Sequence, residues 1–323
     1  MIGPTLAEIE ETHARLASQV VRTPTIPLPN GMVSSILGGQ VVLKLELFQH
    51  TGTFKLRGAL NNLANIDLQG RGVTAVSAGN HAVAVAYAAS KLKVDAKIVI
   101  MSSANKARRK LAESFGAELV VCDTPALAFQ MMEELVATED RVAIHPFDGP
   151  NVATATAGVG YELVKDTGPF DAVVVAIGGG GLSGGVSCAV KRLLPQCQVY
   201  GVEPIGANSM QQSLTQGHAL TGLEVNTIAD SLGPPLTLDY PVAMCREFVD
   251  EVVTVSDDEL CRAIYLLFTD VKLAVEPAGA AALAAAIGPL RKRLQGKRVG
   301  LIVCGTCLDV DNFSEYLKRG ENV

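Results

Sequence analysis

Tryptophan is absent from these 323 residues, and aromatic side chains make up only 5% of them. A core of any size must therefore come from Ala, Val, Leu and Ile, and a hydrophobic content of 48% supplies it. A basic excess is also missing, since 27 Lys and Arg stand against 33 Asp and Glu. A nucleic acid as main partner would want a basic face, so the balance argues against one. No apolar run approaches membrane-spanning length, and no membrane partner is expected. The opening "MIGPTLAEIEE" is acidic and lacks the basic-then-apolar order of a signal peptide. Seven cysteines, an odd count at irregular spacing, fit reduced thiols better than a disulfide framework. A soluble cytoplasmic protein is the expectation.

What is present is an alternation. Thr5 and Glu8 have the spacing of a capping box at a helix start, and "RTPTIPLP" is then an extended, proline-set segment. Short β-branched runs follow, each leading into a longer Ala- and Leu-rich stretch. "QVVLKLE" precedes a helix over 57–66, "GVTAV" one from Asn80 to Lys91, "KIVIM" one over 105–115 and "ELVVC" one over 125–137. Later "DAVVVAI", "QVYGVE" and "RVGLIV" have the same strand character. Continuous apolar strands between helices are the pattern of parallel sheets covered on both faces. The expected fold is α/β with two parallel-sheet domains. The larger takes 1–69 and 146–323, the smaller is inserted as 70–145, and a cleft lies between them. "KARRK", residues 106–110, reads as a solvated helix face.

Four consecutive glycines stand out in "AIGGGGLSGG", residues 176–185, between a strand and an apolar helix. Glycines there let backbone N–H groups encircle an anion, and the helix N-terminus adds its dipole. A flexible turn would need only one glycine. A dinucleotide site is the sharper rival: Gly179, Gly181 and Gly184 satisfy G-x-G-x-x-G, and Glu203 ends the next strand. The motif indicates phosphate more securely than it indicates which phosphate.

Lys55, in "FQHTGTFKLRGA", lies between Phe54 and Leu56. Alone, it reads best as a helix-start lysine whose stem packs and whose ammonium reaches water. "SAGNH", residues 77–81, again follows a strand and offers hydroxyl, amide and imidazole groups, although Ser77 or Asn80 would also serve as a simple N-cap. A lysine, a polar turn and a phosphate cradle together suit one aldehyde cofactor that carries a phosphate. Lysine forms the Schiff base, and desolvation lowers its pKa as that requires.

"TGTFKLRGA", "SAGNHA" and "GGGGLSGG", in this order and spacing, resemble the serine/threonine dehydratases of the pyridoxal-phosphate family with the tryptophan synthase β-subunit fold, a group that includes serine racemases. "VEPIGANSM", "TIADSL" and "VEPAGAAALAA" extend the resemblance over essentially the whole chain. It implies pyridoxal 5'-phosphate as cofactor and Lys55 as the catalytic Schiff-base lysine, later freed as the base at Cα. It implies further that Phe54 packs on the cofactor, that Asn80 bonds its 3-hydroxyl, and that Gly178, Gly179, Gly180, Gly181 and Leu182 hold its phosphate. Cys304 falls where the family faces the pyridine nitrogen with Ser or Cys. Thr53, Ser77, Ala78, Gly79, Asn80 and His81 surround the implied substrate. No metal is assigned, because Ser209 stands where racemases of the family place a carboxylate near Glu203 and Ala207. The implied reaction is dehydration and deamination of an L-hydroxyamino acid of the threonine or serine type to a 2-keto acid and ammonia, by a homodimer.

Three positions depart from the family pattern. Thr53 replaces a serine, Ser231 replaces the glycine of "ADG" and is expected to crowd its turn, and "CGTC" replaces Cys/Ser-Gly-Gly-Asn. These leave open a hydroxyaspartate or phenylserine dehydratase and a racemase. A dinucleotide-dependent oxidoreductase and a silent binding protein are alternatives of other classes. "CGTC" as a zinc or redox pair lacks a second ligand pair or a thioredoxin-like setting.

Overall fold

The computed structural model describes every residue except 1, 30, 78 and 103. Among the described residues ten strands form two sheets. Strands β1 (Thr25–Pro27), β2 (Gln40–Leu45), β3 (Val73–Ser77), β4 (Ala96–Met101) and β5 (Glu118–Cys122) come first. Strands β6 (Val142–Ala143), β7 (Ala172–Ala176), β8 (Gln198–Pro204), β9 (Glu251–Val255) and β10 (Arg298–Val303) follow. The larger sheet has the order β1-β2-β10-β7-β8-β9, and the smaller β5-β4-β3-β6. All neighbouring pairs are parallel except β1 with β2. Every residue of β7 is buried, which is why it reads as an unbroken apolar run.

Helices lie close to their expected places, with ends that differ by a residue or two: Lys55–Asn65, Asn80–Leu92, Lys106–Ser114 and Pro125–Glu139. Strands β6 and β9 were not singled out in the sequence: the first is two residues long, and the second, half-buried at a sheet edge, has no fully apolar run.

Two cores result. Val174, Leu301 and the alanine helix Pro277–Ile287 belong to the one around the larger sheet. The other holds Val73, Ala75, Ile98 and Ile100 with Leu56, Leu60 and Leu63 of helix Lys55–Asn65. That helix follows β2 of the larger sheet but packs on the smaller one, so its first turn lies where the two meet. A buried ion cluster fixes the turn from below. Arg57 donates to Glu162 Oε1 and Glu46 Oε1, both at 2.8 Å, and Lys44 Nζ donates to Glu162 Oε2 at 2.5 Å. Within this cluster two cations balance two carboxylates.

Candidate active site

The carboxyl ends of β3, β7 and β10 point at one cleft of about 410 Å³, as open parallel sheets place their sites. Lys55, Asn80, the glycines 178–181, Glu276 and Cys304 line it. Phe54 and Leu182 border it as well. A smaller hollow of about 200 Å³ opens on another side of Lys55, among His81, His145 and Val152.

Lys55 begins its helix. Its Nζ donates to the Pro146 carbonyl at 2.8 Å and lies 5.2 Å from the centre of the Phe54 ring. Burial pushes its pKa down to about 8, and the groups of opposite sign beside it, Glu276 included, offset only part of that.

The glycine loop follows β7 and ends in helix Gly181–Leu193, whose first N–H groups have no intrahelical acceptor. Gly180 has φ +89°, and a side chain there would meet Met210 Cε at 2.7 Å and Pro241 Cβ at 2.9 Å. A Cβ on Gly179 would fall 2.3–2.4 Å from the ring of Phe147. Gly180 is required by backbone conformation and by space, and Gly179 and Gly181 by space.

Opposite the loop, Asn80 donates from Nδ2 to Glu276 Oε1 at 2.8 Å and to Ser231 Oγ at 3.3 Å. Its Oδ1 is buried without a partner, and so is Thr53 Oγ1. Glu276 also accepts from Arg108 Nη2 at 3.1 Å, and burial pushes its carboxyl up to about 7. Burial likewise raises the Cys304 thiol, which therefore stays protonated and neutral.

A match to the family model described as "Pyridoxal-phosphate dependent enzyme" covers residues 16–305. The chain belongs to this family. It is 46% identical over 319 residues to a phenylserine dehydratase of Ralstonia pickettii, which covers 98% of this chain and 97% of that protein. It is 34% identical over 326 residues to an L-threo-3-hydroxyaspartate ammonia-lyase of Saccharomyces cerevisiae, covering 100% and 99%. Among solved structures, maize serine racemase superposes with a TM-score of 0.90 at 30% identity, over 99% of this chain and 98% of that one.

The residues present fit the family's cofactor, pyridoxal phosphate. A desolvated lysine, a glycine cradle at a helix N-terminus and Asn80, whose buried Oδ1 has no partner, line one space. Phe54, Lys55, Asn80, Gly178, Gly179, Gly180, Gly181, Leu182 and Cys304 are brought together there. Thr53, Ser77 and Gly79 stand beside the cleft without lining it; Ser77 Oγ accepts the Gly79 N–H at 2.9 Å. His81 faces the smaller hollow. Its Nε2–H donates to the Ile144 carbonyl at 2.9 Å, and burial lowers its pKa to about 3. Ala78 lies outside the described residues.

Sequence reasoning misread Arg108 and passed over Glu276. Lys106 and Lys110 of "KARRK" are solvated, but Arg108 is 4% exposed and turns inward. It donates to Asp230 Oδ2 at 2.5 Å, to Cys307 O at 2.8 Å and to Glu276. The available signal was its spacing from Ala112, one turn further along the buried side of the same helix. Glu276 was quoted only within a motif, yet a lone acid in an otherwise apolar run is itself a signal. Ser231 does not strain its turn, since it is not among the non-glycine residues with positive φ found among the described residues. Glu203 accepts the N–H groups of Met210 and Gln211, both at 2.8 Å, so its oxygens hold the next helix and face no ribose. Cys307 Sγ contacts the Thr51 carbonyl at 3.2 Å, and among the described residues no group of three or more His, Cys, Asp or Glu is placed to hold a metal ion.

Proposed function

We propose that this protein eliminates water and ammonia from an L-3-hydroxyamino acid with a neutral, aryl-type side chain, giving a 2-keto acid. Identity of 46% over nearly the whole length of a phenylserine dehydratase carries this reading. Charge in the cleft supports it. Lys55 is the only cationic side chain among the described residues that line it, and Lys55 is taken by the cofactor. Arg108 is already engaged at Nε, Nη1 and Nη2. A second carboxylate, as in 3-hydroxyaspartate, would meet Glu276 with no free cation to balance it.

When bound, pyridoxal phosphate supplies the electron sink for the charge that develops at Cα. Lys55, released as a neutral amine, removes the Cα proton. Ser77, Gly79, Asn80 and the backbone around Thr53 would cradle the substrate carboxylate. Cys304 offers a neutral thiol to the pyridine nitrogen, and the glycines 178–181 with Leu182 hold the phosphate by backbone N–H groups.

We further propose a cytoplasmic homodimer, in keeping with the resemblance and with seven free cysteines. The smaller sheet, carried by 70–145, is read as the inserted domain, and helix Lys55–Asn65 joins its core from outside it.

The test is release of keto acid and ammonia from threonine, serine, 3-phenylserine and 3-hydroxyaspartate. Phenylserine is expected to give the highest kcat/KM. Preference for hydroxyaspartate would overturn the neutral-substrate assignment, and no release from any of the four would overturn the reaction.

A further inference from the structure

Five side chains, Asn80 among them, close a ring of hydrogen bonds. Asn80 Nδ2 donates to Glu276 Oε1 at 2.8 Å and to Ser231 Oγ at 3.3 Å. Ser231 Oγ donates to Asp230 Oδ1 at 3.0 Å. Arg108 donates to Asp230 Oδ2 at 2.5 Å and to Glu276 Oε2 at 3.1 Å, and its Nη2 lies 3.3 Å from Ser231 Oγ. Direction around this ring is fixed by chemistry. Arginine only donates, a carboxylate only accepts once it is ionised, as Glu276 is above about pH 7, and the one hydroxyl proton of Ser231 goes to Asp230. Both amide hydrogens of Asn80 are therefore committed, one to Glu276 and one to Ser231. What Asn80 has left is Oδ1, buried and without a partner at the edge of the cleft.

We propose that Ser231 and Glu276 are positioning residues that turn Asn80 into an acceptor toward the cofactor, so that the 3-oxygen of bound pyridoxal phosphate carries a proton. The inference rests on the reading that Asn80 meets the 3-oxygen. A carbonyl oxygen satisfied by nothing else requires a donor in front of it. The proton shared between the cofactor 3-oxygen and the Lys55 nitrogen then lies on the oxygen, with no net gain or loss of protons. A glycine at position 231 would leave one Asn80 N–H free to donate to that oxygen, and the proton would return to the Lys55 nitrogen. Ser231 is thereby given a function that its departure from the family pattern did not suggest.

The holoprotein's absorbance spectrum reads the proton directly. A protonated 3-oxygen shifts the Schiff-base band from the visible into the near ultraviolet. Ser231→Gly, or Ser231→Ala if the glycine variant folds poorly, is expected to raise the visible-to-ultraviolet ratio roughly fivefold, the size of one net hydrogen bond. Asn80→Ala serves as the control at equal cofactor content and unchanged circular dichroism. If Asn80→Ala alters the spectrum while both Ser231 variants match the parent, the positioning role is overturned and the Asn80 placement stands. If Asn80→Ala leaves the spectrum unchanged, the placement falls and the proposal with it.

Discussion

Lys55 Nζ donates to the carbonyl oxygen of Pro146 at 2.8 Å, just past the last strand of the smaller sheet. A carbonyl orients an ammonium but brings no full negative charge to offset burial, so the Lys55 pKa falls to about 8. The neutral amine attacks the aldehyde, so the apoprotein should take up pyridoxal phosphate about tenfold more slowly for each pH unit below 8 and at a constant rate above it. Stopped-flow absorbance measures this. A rate still climbing towards 10.5, the ordinary lysine value, would show that Lys55 is not desolvated. Lys55→Ala should fold, form no covalent adduct and lose turnover.

Arg108 joins a helix of the smaller sheet to the floor of the cleft. Replacing it with Ala leaves the carboxylate of Glu276, which is 2% exposed, without its cation. The expected loss is about 3 kcal/mol of stability, read as a lower urea midpoint. Arg319, paired with Asp258 at the surface, provides the contrast. Arg319→Ala should change stability by less than about 1 kcal/mol. Equal midpoints for the two variants would contradict the buried pairing.

Gly180→Ala tests the cradle. Its φ of +89° is strained for alanine, and Met210 and Pro241 occupy the space a methyl group would need. We expect a stability loss of about 2 kcal/mol together with a cofactor Kd raised at least about tenfold. Gly70, at φ +81° with nothing within 4 Å, isolates the backbone contribution. Gly70→Ala should cost about 1 kcal/mol and leave cofactor affinity unchanged. A parental Kd in Gly180→Ala would remove the loop from the phosphate site.

Cys304 tests the opposite wall. Burial keeps its thiol neutral, and Cys304→Ser preserves a neutral hydrogen-bonding group, so most elimination activity should survive. Cys304→Asp would protonate the pyridine nitrogen and slow turnover by about tenfold or more. Equal kcat in all three proteins would show that Cys304 does not face the ring.

The parts legible in the sequence were those with one local cause. A run such as "DAVVVAI" can only be a strand buried on both faces, and glycines 178–181 announce a close backbone approach. Lys55 was legible only in company, since alone it reads as a helix-start lysine and the polar turn 77–81 and the glycine run give it a purpose. Arg108 and Glu276 were not, because their meaning comes from contacts across 168 residues of chain. A short basic run looks the same whether one member turns inward or none does. His81 shows the reverse limit. The motif put it beside the substrate, but burial and a backbone carbonyl hold its ring elsewhere. The ion cluster of Arg57, Glu46, Glu162 and Lys44 was equally silent, its members lying on four separate elements.

Elimination and racemisation are separated by a proton donor on the second face of the substrate. In the proposed reaction Lys55 serves one face. Racemisation also requires a group that returns a proton from the opposite side. In the racemases that this chain resembles, a serine hydroxyl follows the first serine of the turn; here the residue after Ser77 is Ala78, whose methyl group has no exchangeable hydrogen. His81 does not take over that task. With its pKa near 3 it is neutral at physiological pH, and its N–H is bonded to Ile144. The unmodified protein should therefore release keto acid from an L-substrate with D-enantiomer formation below about 1% of that rate. Ala78→Ser should raise D-product measurably while the cofactor spectrum stays the same. Chiral chromatography decides the matter: D-amino acid appearing at a rate near that of keto acid would mean a second proton donor faces Cα, and the protein would be a racemase.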